Sequence, residues 1–79
     1  MKIFLSSVAY ARLLRMSPKD QDRIEAKLLF FAGHRDPISF AKSIGSGIYR
    51  FRIGDYRVLF GLINGTIHVA QIERRDKAY

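Results

Sequence analysis

Tyr49-Arg50-Phe51-Arg52-Ile53-Gly54-Asp55-Tyr56-Arg57-Val58-Leu59-Phe60 is the stretch that decides the fold. On both sides of Gly54-Asp55 the side chains alternate, so the stretch reads as two antiparallel strands joined by a two-residue turn of type I′ or II′. Asn64-Gly65 follows eight residues after Tyr56 and signals a second hairpin, because both residue types tolerate positive φ. Three strands result, over residues 48–53, 56–63 and 66–72. The turns fix register, and register fixes which side chains share a face. Ile53 pairs with Tyr56, Arg52 with Arg57, Phe51 with Val58, Arg50 with Leu59 and Tyr49 with Phe60. With a two-residue turn at Asn64-Gly65, Ile63 pairs with Thr66, Gly61 with His68, Leu59 with Ala70 and Arg57 with Ile72. One face then collects Tyr49, Phe51, Ile53, Tyr56, Val58, Phe60, Leu62, Ile67 and Val69, with Gln71 at its edge. That is a core face, and it needs a cover.

The cover lies upstream. Residues 2–6 read as a short strand and residues 7–16 as a helix, with Ala9, Leu13 and Met16 on one stripe. Ser17-Pro18-Lys19-Asp20 opens a second helix: Ser17 caps it, Pro18 takes the first position, where no N–H is needed, and Asp20 favours the dipole. Ile24, Leu28 and Phe31 form its stripe, and it ends near Gly33. The short break between the helices predicts an antiparallel hairpin. Residues 34–37 form a loop. Residues 39–47 are ambiguous, with Phe40 and Ile44 expected in the core. The expectation is one α+β domain over residues 1–79. It has an N-terminal strand and a helical hairpin packed on a mainly antiparallel four-stranded sheet, in the order β-α-α-β-β-β.

Composition narrows the function. The chain has 79 residues, 14 Lys and Arg against 7 Asp and Glu, and a net charge of +7. An apolar content of 48 % is too high for a disordered basic tail. No apolar run approaches the roughly 18 residues that span a bilayer, so no membrane association is expected. Met1-Lys2-Ile3-Phe4-Leu5-Ser6 turns polar too early for a signal-peptide core. Without cysteine there is neither a disulfide scaffold nor a thiolate zinc site. His34 and His68 are too isolated to make a metal site. Gly45-Ser46-Gly47 precedes a strand, not a helix, so it is no P-loop. What remains is a small basic domain suited to phosphate or to an acidic protein.

The face opposite the core holds Arg50, Arg52, Arg57, Gly61 and His68. Arg52 and Arg57 face each other, and like charges directly opposite are destabilising. A solvated basic face is the simple reading. Three guanidiniums converging with no acid on their face favour an anion site, since the planar fork of Arg binds phosphate bidentately. The tail leaves the sheet at the Gly54-Asp55 end, which brings Arg74, Arg75, Lys77 and Tyr79 within reach of the same patch. His68 lies on this face further up the hairpin.

The segment 49–60, the Asn-Gly hairpin and a terminal Arg75…Tyr79 resemble the RelE/ParE toxin superfamily, and the RelE-like branch most. The resemblance covers the whole chain in element order and residues 44–79 at motif level. It implies a cytoplasmic toxin of a type II toxin–antitoxin system, with an acidic RelB-like antitoxin encoded nearby. It implies an endoribonuclease that cleaves mRNA in the ribosomal A site with no metal or other cofactor, the RNA 2′-hydroxyl attacking the phosphodiester. By position Arg57 matches the Arg that clamps the scissile phosphate, and Arg52 and Arg50 match the two basic positions of the preceding strand. Arg75 and Tyr79 match the basic–aromatic pair at the terminus, Tyr79 as base or stacking group. Arg50, Arg74, Lys77 and His68 are expected to bind substrate. Arg stays protonated at every physiological pH, so it neutralises charge and shuttles protons poorly. Two alternatives stay open: a ParE-like toxin that inhibits DNA gyrase by binding it, and a non-catalytic RNA-binding domain of toxin-like fold.

Overall fold

Ser6 and Ser17 set the start of each helix in the computed structural model, which describes residues 1–74. The Ser6 hydroxyl accepts the Ala9 N–H at 3.0 Å and opens α1 (Ser7–Leu14) straight after β1 (Lys2–Leu5). The Ser17 hydroxyl accepts the Asp20 N–H at 3.2 Å and opens α2 (Pro18–Ala32), with Pro18 in its first turn. Each cap satisfies an N–H that has no partner inside its helix. The first helix stops two residues short of the expected Met16. Arg15 and Met16 turn their N–H groups back to Arg12 and Leu13, both at 3.1 Å, which tightens the last turn.

Five strands form one sheet, in the order β1-β5-β4-β3-β2. The expected α+β layout holds, with one strand more than the expected four. The extra strand, β2 (Lys42–Gly45), comes from the ambiguous stretch 39–47, and a 3-10 turn (Pro37–Phe40) precedes it. Lys42 pairs with Arg50 and Ser43 with Tyr49. β3 (Ile48–Ile53) and β4 (Tyr56–Ile63) pair in the expected register, with Arg52 opposite Arg57. Gly54 has φ +59°, the left-handed first position that a type II′ turn requires. Asn64 and Gly65 both have positive φ, as in a type I′ turn. β1 joins the far edge parallel to β5 (Thr66–Arg74), with Phe4 beside His68.

The β4–β5 register departs from expectation. It runs as expected from Ile63–Thr66 to Phe60–Val69, then slips by one residue. Leu59 pairs with Gln71 rather than Ala70, and Arg57 with Glu73 rather than Ile72. Ala70 is the extra residue of a β-bulge. The Ser6 hydroxyl donates to its carbonyl at 2.7 Å, so the group that the bulge takes out of the ladder keeps a partner. The slip sends Ile72 to the core, opposite Val58, and leaves Gln71 exposed instead of at the core edge.

The core lies between the helices and one sheet face. Ala9, Leu13, Ile24, Leu28 and Phe31 pack on Phe51, Ile53, Val58, Phe60, Ile67, Val69 and Ile72. Phe51 stacks between Phe31 and Phe60, at 3.9 and 4.1 Å between ring centroids. Phe40 and Ile44 do not join this core; they are 42 % and 49 % exposed. Ile44 sits on an edge strand. Phe40 rests against Phe31 and His34 at the core margin.

One polar contact ties α2 to the sheet end. The Tyr56 hydroxyl donates to Asp20 Oδ2 at 3.0 Å. Burial raises the Tyr56 phenol above its ordinary value of 10.0, and the hydrogen bond to Asp20 and the charge of Asp20 add to this; Arg74 and Arg12 oppose it. A phenol held protonated in the folded state stabilises it fully below about pH 10, and that contribution disappears as pH rises through the folded-state value. Tyr56→Phe is expected to cost about 1–2 kcal/mol at pH 7. Urea titrations from pH 8 to 11 should show the gap between wild type and variant closing only above about pH 10.

Candidate functional site

The sheet face away from the helices carries four cations on three adjacent strands. Lys42 and Arg50 are paired across β2 and β3, and Arg52 and Arg57 across β3 and β4. The backbone holds Arg52 and Arg57 opposite each other because Phe51, Ile53, Tyr56 and Val58 occupy the alternate positions and are committed to the core. The hydrophobic effect therefore holds two like charges together against their repulsion.

The Nε atoms of Arg50 and Arg57 are shielded from solvent and have no hydrogen-bond partner among the described residues. A shielded, charged donor without a partner costs on the order of 1–3 kcal/mol. An anion removes that cost and screens the repulsion at once. Beside Arg50 and Arg52 a cleft of about 440 Å³ is also lined by Ser39, Phe40, Ala41 and Lys42. It combines cations with an exposed aromatic ring, the pairing that accepts a phosphate together with a stacked base. Lys42 escaped sequence reasoning, and Phe40 was expected in the core rather than in a cleft, because residues 39–47 show no clear period.

The bulge corrects the expectation that no acid shares this face. Glu73, opposite Arg57, is that acid, and it is half-buried. The same slip moves Arg74 to the other side of the sheet. Arg74 pairs with Tyr56, its guanidinium lies 5.8 Å from the Tyr56 ring centroid, and it lines a cavity beside α1. It is therefore not on the face of Arg57, where the even register had placed it. His68 does lie on that face, opposite Gly61, with its ring 5.4 Å from Phe4. Four residues along β4 separate Gly61 from Arg57, roughly 13 Å at 3.3 Å per residue, so His68 is not brought to the arginine pair. Arg75, Lys77 and Tyr79 lie outside the described residues. No group of three or more His, Asp or Glu side chains among the described residues is placed to hold a metal.

No family model matches the chain, and no curated protein does. Solved structures do. The E. coli RelE toxin in isolation superposes with a TM-score of 0.75 at 15 % identity, covering 92 % of this chain and 82 % of that one. A chain of the RelBE2 toxin–antitoxin complex from Mycobacterium tuberculosis gives 0.70 at 22 % identity, covering 94 % and 96 %. A chain of the RelB–RelE antitoxin–toxin complex from Methanococcus jannaschii gives 0.74 at 18 % identity, covering 96 % and 94 %. The fold is thus RelE-like, at identities that speak for the fold alone.

Arg52→Thr should separate stability from binding. Removing the like charge opposite Arg57 is expected to stabilise the fold by about 0.2–1 kcal/mol in low salt. The gain should shrink in 1 M salt, where charges are screened within about 3 Å. Urea midpoints at both salt concentrations check this. Binding of a polyanion such as heparin should weaken in the same variant.

Proposed function

We propose that the chain is the toxin of a type II toxin–antitoxin pair and that its arginine face cleaves mRNA in the ribosomal A site. One observation carries this reading: Arg52 and Arg57 are held face to face, with the Arg57 Nε sheltered and unpartnered, on a RelE-like sheet. In this reading the RNA supplies the nucleophile. The 2′-oxygen loses its proton and forms a bond to the adjacent phosphorus. The bond to the 5′-oxygen breaks, and that oxygen takes up a proton. A 2′,3′-cyclic phosphate and a free 5′-hydroxyl result, and no metal or other cofactor enters.

Negative charge grows on the phosphoryl oxygens in the transition state, and preorganised guanidiniums lower its energy most where water is excluded. Arg57 is assigned to those oxygens, with Arg52 beside it. Arg50 and Lys42 hold the neighbouring backbone. Their permanent charge suits them to this and leaves the proton transfers to other groups. Tyr79 and Arg75 are assigned to the transfers and to base stacking. Strand β5, which precedes them in sequence, ends with Glu73 paired to Arg57 and Arg74 to Tyr56. A Tyr acts as a base near neutral pH only where neighbouring cations depress its pKa of about 10. A protein working at the ribosome is cytoplasmic, and no helix among the described residues is long and apolar enough to cross a membrane.

The test is an in vitro translation reaction read by primer extension. Cuts within A-site codons are expected, and Arg57→Ala should slow them about 10²–10³-fold, the usual effect of losing one such donor. If growth stops while mRNA stays intact and gyrase stalls on DNA, the gyrase-directed alternative replaces this reading. Intact mRNA with bound RNA and no growth arrest would leave a non-catalytic binding domain.

The partner in this reading is an acidic RelB-like antitoxin. A RelE-like fold occurs inside RelBE complexes from M. tuberculosis and M. jannaschii. This chain has a net charge of +7 and exposes Val8, Tyr10, Leu14, Leu29 and Phe30 on its two helices. Exposed apolar side chains on the helices give a protein partner area to bury. With the product of an adjacent acidic reading frame at 100 times its dissociation constant, unfolding should become about 2.7 kcal/mol harder. Calorimetry with and without that product checks this, and identical melting overturns it.

A further inference from the structure

A second cationic site lies at the same end of the sheet, on the helix side. A cavity of about 430 Å³ opens between the end of α1, the start of α2 and the ends of β4 and β5. Arg12, Arg15 and Arg74 line it, with Met16, Ser17, Asp20 and Tyr56. Asp20 is the one acid among these wall residues, and its Oδ2 already accepts the Tyr56 hydroxyl. Arg12 in the last turn of α1 is explained by the helix dipole alone. The dipole does not explain why Arg15 and Arg74, from a turn and a strand, converge on the same space. The α2 N-terminus with its Ser17 cap adds a further positive end to the wall. The Tyr56 ring beneath Arg74 gives that guanidinium a fixed seat.

The register joins this cavity to the arginine face. Tyr56 and Arg57 are neighbours on β4, as are Glu73 and Arg74 on β5, so each pair sends one side chain to each side of the sheet. Arg23 lies over the turn at this end. A Cβ on Gly54 would come within 2.5 Å of its Nη1, so the bare glycine is what lets the guanidinium settle there. Cations thus stand on both sides of this sheet end, Arg52 and Arg57 on one face with Glu73 opposite Arg57, and Arg12, Arg15 and Arg74 on the other, with Arg23 over the turn. A chain with a phosphate at every nucleotide can follow cations placed on both sides of the sheet end, along a positive track of the kind single strands follow.

We propose that the cavity of Arg12, Arg15, Tyr56 and Arg74 is a second phosphate subsite, which holds a backbone phosphate of RNA flanking the segment on the Arg52–Arg57 face. This rests on the RNA reading above and extends it to a footprint that bends around the sheet end.

The test uses the full chain and a 2′-O-methyl uridine hexanucleotide, which its own 2′-oxygens cannot cleave. In an NMR titration, the amides of Arg12, Arg15 and Tyr56 should shift together with those of residues 50–57. In the double variant Arg12→Gln/Arg15→Gln the slope of log affinity against log salt should fall by about 0.7 for each phosphate that is no longer neutralised. Both side chains are exposed, and an unchanged circular dichroism spectrum shows that the fold is retained. A wild-type slope in the double variant, while Arg57→Gln lowers it, overturns the second subsite and leaves the RNA reading standing. Wild-type slopes in both variants overturn the RNA reading and the subsite with it. A hexaglutamate peptide that shifts Arg12 and Arg15 at lower concentration than the RNA overturns the proposal in favour of an acidic protein segment.

Discussion

Ile72 has to lie under the helices, and strand β5 delivers it there only by adding one residue to the ladder. An even register would put Ile72 beside Arg57, an apolar side chain among guanidiniums, and would leave Val58 without its partner. Burying one Ile gains about 1.5–3 kcal/mol, more than the disruption of a single ladder step whose carbonyl Ser6 satisfies. The bulge at Ala70 therefore forms, and its electrostatic consequences follow from parity. Glu73 turns to the face of Arg57, and Arg74 turns to Tyr56 and the helices. One packing requirement distributes the charges of the strand end between the two sides of the sheet.

The same requirement explains which parts of the fold were legible. Both hairpins were, because Gly54-Asp55 and Asn64-Gly65 each mark a two-residue turn and the alternation on either side agrees with them. The caps at Ser17 and Pro18 were legible for the same reason: local chemistry decided them. The bulge left a signal that an even pairing hides. Ile67 and Val69 keep period two, then Ile72 comes three residues later, so the apolar phase slips between Val69 and Ile72. Strand β2 left none. Lys42-Ser43-Ile44-Gly45 is exposed along its whole length, and an edge strand with no buried side carries no apolar period.

For the arginine face, the pair Arg52–Arg57 could be read off because the tight turn between them leaves no freedom of register. Lys42 could not, since its place beside Arg50 depends on a long-range pairing that no local pattern announces. Glu73 and Arg74 were assigned to the wrong neighbours for a reason that reaches back to residue 6. Ser6 both starts a helix and supports the bulge, and its second role appears only when the first strand is laid parallel to the last.

The arrangement also sets a limit on stability that bears on function. The like charges of Arg52 and Arg57 and the shielded Nε atoms of Arg50 and Arg57 are each unfavourable in the free protein. A domain of this size buries only about 60 % of its unfolded surface, so it has little stability in reserve. The aromatic stack of Phe31, Phe51 and Phe60 lies directly behind the arginine strands and holds them in place. The strain is thus kept on the part of the sheet least able to move. Relaxing by backbone motion would break the core first, so the unfavourable terms persist in the folded protein, beside the one acid that the slipped register brings opposite Arg57. A net charge of +7 spread evenly would give general attraction for polyanions. Guanidiniums fixed by a packed core concentrate part of that attraction at one end of the sheet.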